Sequence, residues 1–354
     1  MPRMLPDGRR LGAHLPLGRG MVRAVERAHE IGATALQVFA DNPTAWRRRA
    51  APPGEGPAFR DRLGALDIHP VAIHASYLVN LAGPEEDFFE GSVEVLASDL
   101  RAAPGFAARF VNVHIGSHRG TGVAAGIERL ADGLALVLAE VDGTGGGEAP
   151  ARIVLENSAG SGFGLGVDVA ELAAIAEAAA RRNLPVDRIG FCLDVAHAWA
   201  AGIDVGNPSA VDAFLADFDA RVGLDRLVMV HLNDSKSECG SRIDRHEHLG
   251  AGQIGVTGLR HVLIHPALGH ATYILETPGM DEGYDAINVG RAHDIAAGRP
   301  LAELPPEALE IVSGRSRLGP PVEEPLEPLE PLDPAPETGE VNEVLVAGPD
   351  GDAA

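Results

Sequence analysis

Nine side chains of the types that bind metal ions recur along this chain: His74, His114, Glu156, Asp194, His197, His231, Asp244, His246 and Glu276. Most stand just past the end of an apolar run, in the segments VAIHAS, FVNVHIGSH, ARIVLENS, IGFCLDVAH, LVMVHLND and ATYILET. A single histidine at a strand end is more often a hydrogen-bonded core residue than a ligand, so the signal is the recurrence in register. One zinc ion takes three or four protein ligands, and five histidines with four carboxylates therefore point to a cluster of metals. Four carboxylates buried near one another are costly unless cations pair with them. Local spacing adds detail. Asp194 and His197 can both project from a turn where strand meets helix, and Asp244 and His246, at i and i+2 in an extended segment, share one side. His248 follows at the next same-side position, either supporting the cluster or exposed. His14 ends the first apolar run in a supporting or a packing role. His118, His261, His265, His270 and His293 are read as surface or packing residues.

Something must hold these side chains in register. Strand-like runs fall at 10–15, 33–40, 71–76, 110–116, 152–157, 189–195, 227–233 and 272–277, with helical patterns between them at 19–31 and 171–182. An irregular Pro/Gly-containing segment follows the second run, to about residue 57. Eight strands alternating with helices are the sequence form of an α/β fold of the (β/α)8 TIM-barrel type, whose chemistry sits at the C-terminal ends of its strands. A doubly wound open sheet is the alternative, but ligands from six strands would not converge on one point there.

The bulk composition fits a soluble protein with an ample core: 354 residues, 45% of them apolar, with a mean hydropathy of +0.02. No run of about 18 apolar residues is present, so no membrane span is expected, and the N-terminal residues lack the apolar stretch of a secretory signal. Two cysteines, Cys192 and Cys239, make no disulfide framework, which points to a reducing cytoplasm. The net charge of −22 argues at first against nucleic acid. Residues 318–354, however, hold ten acids and no Lys or Arg, and removing those ten leaves −12 for the rest. Bound divalent ions would offset more of it. The stretch from residue 316, with its E-P-L repeat, reads as a disordered, solvating Pro/Glu-rich tail, so the domain is expected over 1–315 and the tail over 316–354. NSAGSGFGLG (157–166) is a weak match to a dinucleotide fingerprint and reads better as a loop of small residues passing close to the metal centre.

LGAHL, HASYLVNLA, VNVHIGSH, IVLENSAGSG, FCLDVAHAWAAGID, VHLNDSKSECGSRIDRHEHLGAGQIG and LETPG together resemble endonuclease IV, the zinc-dependent apurinic/apyrimidinic endonuclease family, over about residues 10–295. The resemblance implies a TIM barrel with three zinc ions, one or more replaceable by manganese, that cuts DNA 5′ to an abasic site and leaves a 3′-hydroxyl and a 5′-deoxyribose phosphate. It implies that His74, His114 and Glu156 bind the first ion. Glu156 bridges to a second held by Asp194, His231 and Glu276, and His197, Asp244 and His246 hold the third. Glu276 and Glu156 are then the catalytic carboxylates, with Glu276 positioning the attacking water. Tyr77 and Leu78 match two positions that wedge into the DNA, and Lys236 (the chain's sole lysine), Arg242 and Arg245 are candidate phosphate contacts. The family commonly has an intercalating arginine where this chain has Thr44, with Arg47, Arg48 and Arg49 nearby. The expected partner is double-stranded DNA carrying abasic sites, with no membrane, and the chain is expected to work as a monomer.

Two other readings stay open at this point. A sugar isomerase or epimerase shares this barrel and its strand-end ligands, but normally uses one or two metals. A damage-binding protein without catalysis fits the acidity and Thr44, though not the complete ligand set.

Overall fold

The computed structural model describes residues 4–49, 53–143, 151–280 and 282–310; the Pro/Glu-rich tail expected from 316 falls outside them. Among the described residues there are ten strands: β1 (Leu11–His14), β2 (Ala35–Val38), β3 (Val71–His74), β4 (Ala108–His114), β5 (Arg152–Glu156), β6 (Ile189–Asp194), β7 (Leu227–His231), β8 (Asp234–Ser235), β9 (His246–Glu247) and β10 (Thr272–Leu275). Eight of them close into a parallel barrel in the order β1-β10-β7-β6-β5-β4-β3-β2, while β8 and β9 form a separate antiparallel pair. The helices are α1 (Met21–Glu30), α2 (Gly56–Leu66), α3 (Glu86–Ala102), α4 (Val123–Asp142), α5 (Val169–Arg181), α6 (Val195–Ala201), α7 (Pro208–Arg221), α8 (Gly255–Ile264), α9 (Asp285–Ala297) and α10 (Pro306–Leu309). Among the described residues no helix is long and apolar enough to cross a membrane.

Alternation along each strand explains why ligands and core coexist. Odd and even residues face opposite sides of a sheet. Ala35, Ala72, Phe110, Val154, Cys192, Met229 and Ile274 pack together inside the barrel. Two residues further along, the same inward parity carries Gln37, His74, Asn112, Glu156, Asp194, His231 and Glu276. The other parity, including Ile73, Val111, Val113, Leu155, Leu193 and Val230, is buried in the larger core against the helices. A strand buried on both faces therefore reads as a continuous apolar run until its inward positions become polar.

The strands end sooner than the apolar runs do. The run at 110–116 is a strand over 108–114, because Gly116 leaves the ladder at φ +97° and a Cβ there would meet the Asn80 side chain at 2.4 Å. The glycines of 157–166 also answer to packing: a Cβ on Gly166 would lie 2.3 Å from Ile115, and one on Gly164 2.5 Å from the Ser158 hydroxyl. The expected approach of this loop to the metal centre is not what makes these two small. Farther on, the Asp168 side chain accepts the N–H of Glu171 to start α5, and Glu171 accepts in return from Gly166 and Val167.

Candidate metal centre

Five of the nine ligand-type residues are the last residues of their strands: His74 of β3, His114 of β4, Glu156 of β5, Asp194 of β6 and His231 of β7. Glu276 directly follows β10. Strand register sets some of them side by side, His114 beside Glu156 and Asp194 beside His231. Asp194 is also the N-cap of α6, where its carboxylate accepts the N–H of His197 at 2.8 Å and so fixes His197 in the first helical turn. Asp244 and His246 arrive from the β8–β9 hairpin, Asp244 from its loop and His246 from β9, with an Asp244 oxygen 3.1 Å from His246 Nε2.

These side chains converge in three overlapping groups, each with ligand atoms within 4.8 Å of one another: His74, His114 and Glu156; Glu156, Asp194, His231 and Glu276; and Asp194, His197 and His246. Glu156 Oε2 lies 3.5 Å from His74 Nε2, 3.6 Å from His114 Nε2 and 3.5 Å from His231 Nδ1. Asp244 joins the third group at 3.2 Å from His197 Nε2 and 3.1 Å from His246 Nε2. Asp194 reaches into this group as well, 3.6 Å from His246 Nε2. The donor set fits divalent cations. His74 Nε2 and His231 Nδ1 are buried and make no hydrogen bond, yet both face the Glu156 carboxylate.

Hydrogen bonds aim the imidazoles. His74, His197 and His246 each place Nδ1 against a backbone carbonyl, that of Ala75 (2.8 Å), Asn157 (2.9 Å) and Glu276 (3.0 Å), so Nδ1 carries the proton and Nε2 faces inward. His231 is reversed. Its Nε2–H donates to Gln37 Oε1 (3.2 Å) and turns Nδ1 to the carboxylates. The Gln37 amide nitrogen donates to Glu276 Oε1 (2.8 Å) and to His14 Nδ1 (3.1 Å). Asn112 donates to Glu156 (2.6 Å), and Asn233 donates to Asp194 (3.0 Å) while accepting the N–H of Glu276 (2.8 Å). Asn157 accepts the N–H of Asp194 at 2.6 Å. Gln37, Asn112, Asn157 and Asn233 were not singled out in the sequence. A buried amide within or just past an apolar run, as in LQV, VNVH, LEN and HLND, was the available signal. His14 takes the supporting place, 3.4 Å from Glu276. His248 is neither exposed nor at the centre: it is buried, bonded to Asn288 and the Ala308 carbonyl, and joins β9 to α9 and α10.

The electrostatics show a charge-balanced cluster. Burial favours a neutral Glu156, but the imidazoles of His231, His114 and His197 hold its carboxyl well below the usual range. Burial likewise opposes charge on His197, yet Asp194, Asp244 and Glu156 hold this imidazole well above its ordinary value. Protons therefore do here what divalent cations can do instead, and metal uptake at such a site releases them.

Around the mouth, Tyr77 is 38% exposed and stacks on His114 with ring centroids 6.1 Å apart, while Leu78 beside it is half-buried. Lys236 is half-buried, its ammonium 3.4 Å from Glu247, and Arg242 and Arg245 are exposed on the hairpin that carries Asp244. Thr44 is exposed and bonded to Asn42 (2.9 Å); Arg49 pairs with Asp41 (2.7 Å) and Arg48 donates to the Asn42 carbonyl (3.2 Å). Trp46 packs edge-on against Phe88.

A closed parallel barrel with imidazoles and carboxylates gathered on its C-terminal rim defines an enzyme of the TIM-barrel class, and residues 25–299 match the xylose isomerase-like TIM barrel family. The chain belongs to the endonuclease IV family. It is 37% identical to a probable endonuclease 4 of Methanoculleus marisnigri over 81% of this chain and 98% of that protein. A probable endonuclease 4 of Chloroflexus aggregans is 38% identical, over 79% and 95%. The crystal structure of endonuclease IV from Thermus thermophilus superposes with a TM-score of 0.70 at 38% identity, covering 82% of this chain and 99% of that one. A D-tagatose 3-epimerase-like protein, 16% identical with a TM-score of 0.56, shares the fold alone.

Proposed function

We propose that this protein is a DNA-repair endonuclease that hydrolyses the phosphodiester 5′ to an abasic site in double-stranded DNA, leaving a 3′-hydroxyl and a 5′-deoxyribose phosphate. The observation that carries the reading is the convergence of nine ligand-type side chains into three overlapping groups on one rim. Three zinc ions fit it, with manganese able to replace one or more, since both accept imidazole and carboxylate. His74, His114 and Glu156 would hold the first, Glu156, Asp194, His231 and Glu276 the second, and His197, Asp244 and His246 the third. When bound, such ions neutralise phosphate charge and lower the pKa of nearby water towards neutrality.

The protein's own groups do the rest. Glu156 lies between two groups and carries charge that both share. Glu276, whose carboxylate accepts from Gln37 and whose N–H donates to Asn233, would orient the attacking water, a role those two hydrogen bonds support. Tyr77 and Leu78 stand at the mouth to enter the gap left by a missing base, which costs less to open than an intact pair. Arg242, Arg245 and Lys236 supply cationic charge for phosphates on the same side. Thr44 brings neither charge nor bulk to the second βα loop, where Arg47, Arg48 and Arg49 would supply the nearby cationic charge instead. The catalytic domain is assigned to 1–315, acting as a monomer.

The test is incision of a duplex carrying one abasic site, before and after prolonged chelation. Expected are a single 5′ cut that chelation removes and zinc restores, and no cut with Glu276→Gln at unchanged Tm. An intact protein with three bound ions that leaves the abasic duplex uncut overturns the reading. One ion per chain would instead favour a sugar-isomerase-like chemistry.

A further inference from the structure

A second constellation of metal-ligating side chains lies on the outer ring of the barrel, formed by Asp212 of α7 with His261 and His265 at the end of α8. The two histidines are four residues apart and so rise from one face of the helix end. Their Nε2 atoms lie 2.6 and 3.2 Å from the same Asp212 oxygen, and the rings meet edge to face at 5.2 Å. The constellation shares no residue with the three groups on the rim.

We propose that Asp212, His261 and His265 form a peripheral site for a zinc-class divalent cation that staples α7 to α8. Two imidazole nitrogens select zinc-like ions over magnesium or calcium, which prefer all-oxygen shells. Ligand atoms at the corners of a zinc tetrahedron are about 3.3 Å apart given bond lengths near 2 Å. The His265–Asp212 separation of 3.2 Å already matches this, and the His261–Asp212 contact of 2.6 Å has to open by roughly 0.7 Å, within reach of a rotation of the exposed Asp212 side chain. Water completes the fourth position, and the side chains, 28%, 16% and 56% exposed for His261, His265 and Asp212, leave the ion a path in. The site also lies at the C-terminal end of α8, where unsatisfied carbonyls favour a cation.

Proton accounting sets its strength. Without the ion both Nε2–H groups donate to Asp212; with it, each imidazole carries its proton on Nδ1 instead. For His265 this gives up the hydrogen bond that Nδ1 accepts from the Ala267 N–H at 3.3 Å. The staple is therefore weaker than the rim centre, and the ion competes with protons for both imidazoles.

The experiment titrates zinc into the full-length protein as isolated, reading zinc per chain after equilibrium dialysis and Tm by calorimetry. His261→Gln/His265→Gln and Asp212→Asn are run beside the parent. The parent should take up one further zinc per chain, more weakly than its resident ions, with a rise in Tm. Both variants should lose that equivalent and the Tm rise while keeping parental incision. Asp212→Asn, an isosteric change at an exposed position, keeps the test valid if the double variant folds poorly. A parent that binds no more zinc than the variants, or variants that retain the extra ion, overturns the proposal.

Discussion

The amide of Gln37 donates to Glu276 and His14 and accepts from His231, so removing it releases three residues at once. Gln37→Ala leaves His231 without the acceptor that keeps its proton on Nε2, and the tautomer with Nδ1 directed at the carboxylates loses its support. Partners of this kind cost about 10- to 100-fold in metal affinity or activity when lost. The expected result is a fall of that size in kcat, with little change in KM and a lower metal content after dialysis. A drop confined to KM would place Gln37 against the substrate instead. Asp99, buried on α3 within electrostatic reach of His74, gives a second prediction for the metal-free protein. Burial pushes its carboxyl up to about 7, against the pull of Arg48 and the Ser76 N–H. The folded value exceeds the unfolded one, so the stability linked to this group is full below the unfolded pKa and is lost as pH rises through about 7. Asp99→Asn should therefore gain stability over the parent progressively from about pH 4 to 7 and level off above that, by at most about 4 kcal/mol, read as the difference in Tm. A gain that stays constant across that range would assign the effect to packing rather than ionisation.

The β8–β9 hairpin delivers two of the nine side chains, and one buried carboxylate fastens it. Asp234 accepts backbone N–H groups from Ser235, Gly250, Gly252, Ile254 and Gly255, folding the loop after β9 around itself. Gly252 is required there, since a Cβ would sit 2.5 Å from the Asp234 carboxylate. Asp234→Ala leaves several of those donors buried and unmatched, at about 1–3 kcal/mol each before relaxation. It should lower Tm by several degrees and loosen the ion held through Asp244 and His246 before the others. An unchanged Tm would show that other contacts hold the hairpin. This element also marks the limit of what the sequence discloses. The strand ends were legible because inward parity turns polar at a fixed depth, so His74, His114, Glu156, Asp194 and His231 stand out against Val, Ile and Leu. The i, i+2 spacing of Asp244 and His246 was legible as a local pattern that sets both side chains on one side of an extended segment. The hairpin's pairing, the amides of Gln37 and Asn233, and the burial of His248 were not, because each depends on which distant segment lies opposite. His261 and His265 show the same limit: four-residue spacing makes a helix-face pair, but only the packing of α7 brings Asp212 between them.

At the scale of the whole molecule the problem is charge. A chain at −22 must approach a polyanion, and Lys236, Arg242 and Arg245 present only local cationic charge beside the acidic cluster. Cations bound at the rim would change the field where DNA arrives, but they cannot act on residues 318–354, whose ten acids have no basic counterpart within that stretch. These acids raise the electrostatic cost of every encounter, over a range set by the Debye length, about 30 Å at 0.01 M salt and about 3 Å at 1 M. Deleting 318–354 should thus speed association with an abasic duplex at low salt, on the order of tenfold. The advantage should shrink steadily as salt is added, while the rate of a single bound turnover stays at the parental value. The deletion should also keep the parental Tm, since the barrel strands and their helices all lie before residue 310. Stopped-flow association across a salt series separates the possibilities. A gain independent of salt would mean that the segment blocks the rim by direct contact. Slower association after deletion would mean that it helps recruit the substrate, and either outcome would remove the electrostatic account of this acidic stretch.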